Sequence, residues 1–297
     1  MSRRTETAGV LAFPRYTEPA ARLAQLLDWS FSELSIHSFP DGESLVRLPE
    51  TVPEHVVLYV GLDQANHQLV ELELAAATAL NLGARRLTLV APYLCYMRQD
   101  RAFHPGEAVS QHVVGAWLAR RFDTVITVDP HLHRTHRLVD AVPVRRAVVV
   151  TAASLMAEWL SARGGNPLLI GPDAESAPWL KAIAEKGDFE YIVGAKQRAG
   201  DRDVTIKLPE VAVAGRPVVL IDDVASTGRT LAEVARQVND RGAASVTVLV
   251  THALFVGDAL DCLRATGVGE IVSTDSVRHP TNRLQLAGLL AETLREA

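Results

Sequence analysis

Short apolar runs alternate along this 297-residue chain with stretches whose apolar positions recur at helical spacing. The runs Gly9–Phe13, Leu34–Phe39, Val56–Gly61, Leu87–Ala91, Thr124–Val128, Leu168–Gly171, Tyr191–Gly194, Pro217–Asp222 and Ser245–Thr251 predict strands, with a weaker one at Glu270–Thr274. Helical spacing covers Pro19–Asp28, His67–Leu82, Val109–Arg121, Ala152–Arg163, Ser176–Lys186, Arg229–Arg241, Gly257–Ala265 and Leu284–Glu296. The clearest helix is His67–Leu82, with Leu69, Leu72, Ala76 and Leu80 on one face and Gly83 as its stop. Strands that are apolar throughout are buried on both faces, which implies parallel sheets covered by helices. Such strands could build one sheet. The surface-type stretch Ser161–Pro167 and the segment Val142–Val150, long enough for a crossover, favour instead two α/β halves meeting near residue 148. The expected domains are 1–148 and 149–280, with the last helix, 281–297, joined to the first. No internal sequence repeat suggests a duplication.

In open α/β sheets ligands collect at the carboxyl ends of strands, and the chemically rich segments of this chain sit there. The most informative follows Val218–Ile221: Asp222 and Asp223, then Ser226, Thr227, Gly228, Arg229 and Thr230 leading into a helix. A strand, a short loop and a helix N-terminus aim backbone N–H groups and the positive end of a helix dipole at one spot, where phosphate binds well. Paired carboxylates beside it suit sugar hydroxyls or a hydrated Mg²⁺. The plainer alternative is a βα turn whose Ser226 or Thr227 merely caps the helix.

Four other segments read in two ways. In Phe39–Ser44 a purine could stack on Phe39 while Asp41 or Glu43 accepts from its amine, or the segment is a plain Pro-Asp-Gly hairpin turn. In Pro92–Arg101, Arg98 and Arg101 flank Gln99 and Asp100, a clamp for polyphosphate or a solvated charged loop. Asp129–Arg137 carries His131, His133 and His136, and neutral imidazole can ligate Mg²⁺ or Zn²⁺. His-x-His after a strand also opens the zinc site of barrel amidohydrolases, but those need a (β/α)₈ barrel and later ligands, of which only His252 is present. Ala195–Asp203, with Lys196 and Arg198, is either a cationic loop that closes over a reacting phosphoryl group or a hairpin with its cations in solvent.

Bulk composition narrows the classes. With 48% hydrophobic and 22% charged residues the chain reads as soluble and globular, and its net charge of −5 gives a nucleic-acid partner no electrostatic support. Cys95 and Cys262 are too few for a disulfide framework and fit a reducing compartment. A polar Met1–Thr7 and a short first apolar run lack the pattern of a signal peptide or a membrane span, so the expected location is cytoplasmic.

Taken together, and over nearly the whole chain in order, these segments resemble the ribose-phosphate diphosphokinases, the phosphoribosyl pyrophosphate (PRPP) synthetases. The resemblance implies an α/β fold of two type I phosphoribosyltransferase-like domains, each a mainly parallel sheet flanked by helices. The first would serve ATP and the second ribose 5-phosphate. It implies transfer of the β,γ-diphosphoryl group of ATP to the C1 hydroxyl of ribose 5-phosphate, giving PRPP and AMP, with Mg²⁺. It also implies a homo-oligomer, dimer or hexamer, with no nucleic-acid or membrane partner.

By the same resemblance, Asp222 and Asp223 contact the ribose hydroxyls, and Ser226, Thr227, Gly228 and Thr230 hold the 5-phosphate. Phe39, Asp41 and Glu43 match an adenine pocket that a neighbouring subunit often completes, and Arg98 and Gln99 match an ATP-contacting pair. His131 matches a metal-associated histidine with a catalytic role, and Asp173 an acid near ribose 5-phosphate and metal. Lys196 and Arg198 match the Lys-x-Arg of a catalytic flexible loop. The chain departs from the family at Pro130, often Leu, at Ser226, often Asp, and at Asp173–Ser176, which lacks a glycine pair. Arg229 stands where a small residue is common. Two rivals share parts of this pattern. A phosphoribosyltransferase that consumes PRPP has the Asp-Asp loop but typically one α/β domain, and a non-catalytic regulatory subunit would be expected to lose Lys196, Arg198 or His131.

Overall fold

Five consecutive buried residues, Ala8–Ala12, form the first strand of the computed structural model, which describes residues 7–132, 134–198 and 204–296. The chain divides into two units, Met1–Val150 with Gln285–Ala297, and Thr151–Leu284. The first unit runs β1 (Ala8–Ala12), α1 (Thr17–Leu27), β2 (Ser30–Glu33), β3 (Ser35–Ser38), β4 (Ser44–Arg47), β5 (His55–Tyr59), α2 (Ala65–Asn81), β6 (Arg86–Ala91), α3 (Ser110–Leu118), β7 (Thr124–Val128), α4 (Leu138–Ala141) and β8 (Arg146–Val150). Six of its strands form a sheet in the order β2-β1-β5-β6-β7-β8, parallel at every pairing. Strands β3 and β4 form a separate antiparallel hairpin. Helix α3 lies so close to the end of α4 that a Cβ on Gly115 would strike the Ala141 carbonyl.

The second unit runs α5 (Ala153–Arg163), β9 (Leu168–Gly171), α6 (Ala177–Gly187), β10 (Tyr191–Val193), β11 (Ala195–Arg198), β12 (Val204–Lys207), β13 (Pro217–Ala225), α7 (Arg229–Asp240), β14 (Ser245–Ala253), α8 (Ala259–Ala265), β15 (Glu270–Thr274) and β16 (Asn282–Leu284). Its sheet, β10-β9-β13-β14-β15-β16, is again parallel throughout, and β11–β12 is again a separate antiparallel hairpin. Leu168, Ile170, Leu220, Val248 and Val250 of the sheet pack with Leu231, Val234 and Val238 of α7. Burying each large side chain contributes about 1.5–3 kcal/mol. The last helix, α9 (Ala287–Arg295), returns to the first unit and packs on α1 and β8.

The two units share one topology. In each, the second strand lies outside the first, a hairpin follows, and the third to sixth strands extend the sheet on the other side. The mainly parallel sheets expected from the continuous apolar runs are present. Four details differ from expectation. Leu34–Phe39 is not one core strand, because Leu34 separates the sheet strand β2 from the half-exposed hairpin strand β3. Val142–Val150 ends in the edge strand β8 instead of a crossover. β13 continues past Asp222 to Ala225, and β16 precedes a last helix that starts only at Ala287. No helix among the described residues is long and apolar enough to cross a membrane.

Candidate active site

In the second unit, pairing in parallel register sets the carboxyl ends of β10, β9, β13 and β14 side by side. Asp222 and Asp223 lie within the last turns of β13, one half-buried and the other 3% exposed. The Asp223 N–H donates to Asp222 Oδ1 at 3.0 Å, and the Val224 N–H donates to Asp223 Oδ1 at 2.8 Å. Asp222 is half-buried as a residue, and burial of its carboxyl, the Asp223 charge and, more weakly, Asp173 push its pKa well above the usual range. The fold thus brings Asp173, Asp222 and Asp223 together. Three mutually repelling carboxylates suit a hydrated divalent cation, whose charge relieves them. Mg²⁺ usually takes only one or two carboxylates besides substrate phosphates, and no ready cage of three or more His, Cys, Asp or Glu groups exists among the described residues.

The loop after β13 bears on the capping reading of Ser226 and Thr227. Helix α7 begins at Arg229 with Gly228 as its N-cap, and no side chain caps it. Neither Ser226 nor Thr227 caps the helix, which leaves both hydroxyls available to a ligand. Gly228 has φ +69°, and a Cβ there would stand 3.2 Å from the Ala259 carbonyl, so glycine is required for both conformation and space. The entry to the loop is pinned from β14: the Leu254 and Phe255 N–H groups donate to Ala225 O at 3.0 and 2.9 Å, and the Val256 N–H to Ser226 O at 3.0 Å. Thr227 and Arg229 are exposed and Ser226 and Thr230 half-buried, so the cradle opens to solvent.

Asp173 follows β9 in a turn in which its Oδ1 accepts the Glu175 N–H at 3.0 Å and its carbonyl accepts Ser176 Oγ–H at 2.7 Å. The Gly194 N–H donates to Gly171 O at 2.8 Å, so β11, with Lys196 and Arg198, departs from the same carboxyl edge. Lys196 and Arg198 pair through their backbones with Ile206 and Val204. Their side chains, and residues 199–203 at the tip, lie outside the described residues. The expected loop is thus carried on a hairpin stem.

In the first unit, the segments after β6 and β7 are stitched together. Gln111 of α3 donates Nε2–H to Met97 O at 3.0 Å and accepts Thr135 Oγ–H at 2.7 Å, while Arg134 donates through its backbone and Nη1 to Asp100 at 3.1 and 2.8 Å. Arg98 stays exposed, and Gln99 takes Ser110 Oγ–H at 3.2 Å. His131, half-buried, follows Asp129, a buried residue with φ +38°. His133 lies outside the described residues. Phe39–Glu43 is the hairpin turn of the alternative reading, closed by Phe39 N–H to Glu43 O at 2.8 Å. It is anchored on α2 by Ser44 Oγ–H to Glu71 Oε1 at 2.9 Å, and the Tyr96 hydroxyl of the Arg98 loop donates to Asn66 of the same helix. Phe39 is 40% exposed and stacks edge-on against His37, while Glu43 lines a cavity of about 370 Å³ with Asn66, His67, Val70 and Leu74. The two open parallel sheets also dispose of the amidohydrolase barrel, and His252 is buried in β14 with Nδ1 on Ser276 Oγ at 2.8 Å.

A family model for the N-terminal domain of ribose phosphate pyrophosphokinase matches residues 10–120, and one for the phosphoribosyl transferase domain matches 144–259. A ribose-phosphate pyrophosphokinase of Methanopyrus kandleri is 34% identical over 288 residues, 96% of this chain and 98% of that protein. The chain belongs to the ribose-phosphate pyrophosphokinase family. A second relative, ribose-phosphate pyrophosphokinase 2 of Archaeoglobus fulgidus, is 34% identical over 275 residues, 93% of this chain and 96% of that one. The crystal structure of phosphoribosylpyrophosphate synthetase from Mycobacterium smegmatis shares the fold, with TM-score 0.83 at 23% identity and 98% of each chain covered. A match to the N-terminal domain beside the transferase domain separates this family member from single-domain phosphoribosyltransferases. Sequence reasoning missed Gln111, the pairing of Asp100 with Arg134 and the 254–256 brace, whose partners lie far off in the chain. The only local signal was the position of Asp100 beside Arg98 and Gln99.

Proposed function

We propose that the protein is a ribose-phosphate diphosphokinase that forms PRPP and AMP from ATP and ribose 5-phosphate. The observation that carries this reading is the uncapped N-terminus of α7 beside the Asp173, Asp222 and Asp223 carboxylates. That pairing offers an anion site for the 5-phosphate and acceptors for the ribose hydroxyls. Ser226, Thr227, Gly228 and Thr230 surround the phosphate, and Asp222 and Asp223 orient the sugar. In the first unit, Arg98 and Gln99 meet ATP, Phe39, Asp41 and Glu43 form the adenine side, and His131 is the metal-associated histidine with a catalytic role. The C1 oxygen attacks the β-phosphorus, the bond from that phosphorus to the oxygen bridging to the α-phosphate breaks, and AMP leaves with that oxygen. The hydroxyl proton passes to the carboxylate pair. Lys196 and Arg198 offset charge on the transferring group. Asp173 beside the sugar carboxylates, and separately His131 beside the ATP segment, are the residues that would contact Mg²⁺, which would supply charge that screens phosphate oxygens.

The protein acts in the cytoplasm as a homo-oligomer, dimer or hexamer, in which a neighbouring copy completes the adenine pocket. The exposed Phe39 at the hairpin turn supports that assembly. Purified protein given ATP and Mg²⁺ is expected to release AMP only when ribose 5-phosphate is added, with one PRPP per AMP. Release of ADP, or no nucleotide turnover, would overturn the reading.

A further inference from the structure

Phe255 adopts φ +32°, a conformation that a bulky residue holds only where its surroundings enforce it. Its N–H donates to Ala225 O, and the next residue's N–H donates to Ser226 O, so this strained pair fixes the backbone from which the phosphate loop departs. On its other side the Phe255 ring packs against the His279 imidazole, with centroids 5.1 Å apart and planes tilted by 44°. The imidazole is itself held: Nδ1 lies 2.8 Å from Thr281 Oγ1 and accepts the Thr281 N–H at 3.3 Å. The His279 N–H donates to Asn282 Oδ1 at 2.8 Å, and Asn282 Nδ2 ties the same turn to Ser273 Oγ at 3.0 Å and Val277 O at 3.1 Å.

We propose that His279 is a positioning residue for the phosphate loop, acting through Phe255 as an aromatic brace that sets the Ala225–Ser226 backbone for the sugar phosphate. The chain of contact runs from the β15–β16 turn through two rings to two backbone hydrogen bonds at the loop entry. Partial burial lowers the His279 pKa, which keeps the ring neutral at pH 7 and suits it to stacking. This inference rests on the functional reading above.

The test uses the full chain, with steady-state constants for both substrates and ribose 5-phosphate binding by calorimetry. His279→Ala is expected to raise the KM for ribose 5-phosphate by roughly threefold to tenfold and to leave kcat and the KM for ATP unchanged. His279→Phe is expected to restore the wild-type KM. If the alanine variant does not fold, the pair His279→Leu and His279→Phe decides, with the raised KM confined to leucine. An unchanged KM in His279→Ala or His279→Leu, an equal loss for ATP, or no rescue by phenylalanine overturns the proposal while the diphosphokinase reading stands. Wild-type protein that neither binds ribose 5-phosphate nor releases AMP with it overturns both.

Discussion

The same βα turn occurs in both units, after the third sheet strand, and the two copies end in opposite states. After β5, Asp63 is paired with Arg15 at 3.1 Å and accepts from the Tyr16 hydroxyl, and Gln68 Oε1 accepts the Gln64 N–H at 2.8 Å at the start of α2. Burial and the Asp63 charge raise the Tyr16 pKa, so the phenol remains a donor. That turn is filled by its own side chains. No side chain caps α2 or α7, but after β13 the N-cap is a glycine and carboxylates gather beside the helix start. A shared topology therefore does not make an anion site. The carboxylates and the open glycine loop beside α7 are what mark the second turn as the candidate.

The hairpins differ in the same way, and breaking them should give the largest effect. Lys196→Ala with Arg198→Ala is expected to lower kcat by about 10²–10³ with ATP binding retained, as loss of charge-stabilising donors does. Phe39→Ala on the other hairpin should raise the KM for ATP and spare that for ribose 5-phosphate. Steady-state kinetics on both variants checks the contrast, and near-normal turnover of the double variant would remove Lys196 and Arg198 from the mechanism.

Next in size, Asp222→Asn with Asp223→Asn is expected to weaken saturation by ribose 5-phosphate by about tenfold to a hundredfold, since hydrogen bonds to charged groups are the stronger kind. Asp63→Asn in the filled turn should instead lower stability, by about 1–3 kcal/mol, because Arg15 and Tyr16 lose a shared partner. Denaturant unfolding and the KM for the sugar, measured on both variants, should move in opposite proportions.

The alternation of strands and helices was legible because strands buried on both faces need unbroken apolar runs. Strands β2 and β4, with alternate residues exposed, carry no such run, and the shared topology left no repeat because many branched apolar residues fill a buried strand equally well. At the site, Asp222–Thr230 stood out because acids directly after a buried strand are costly without a ligand. Gln111, Phe255 and His279 were invisible, since each acts through partners that only folding brings near.

The smallest expected effect is a pH dependence in the first unit. Burial, and then Arg86, lower the His55 pKa from 6.5 to about 4. As pH falls below 6.5 the unfolded chain takes up a proton that the folded chain refuses, so stability is full above 6.5 and drains away down to about 4. His55→Gln should flatten that part of the profile of unfolding midpoint against pH.

The central claim is that the sugar phosphate sits at the start of α7 and not at the start of α2. The direct measurement is a ³¹P titration of ribose 5-phosphate into wild type, Gly228→Val and Asp63→Asn, with ATP binding as the check on folding. The 5-phosphate resonance should shift with wild type and Asp63→Asn and stay at its free position with Gly228→Val. A shift that survives Gly228→Val, or one that disappears with Asp63→Asn, would contradict the account.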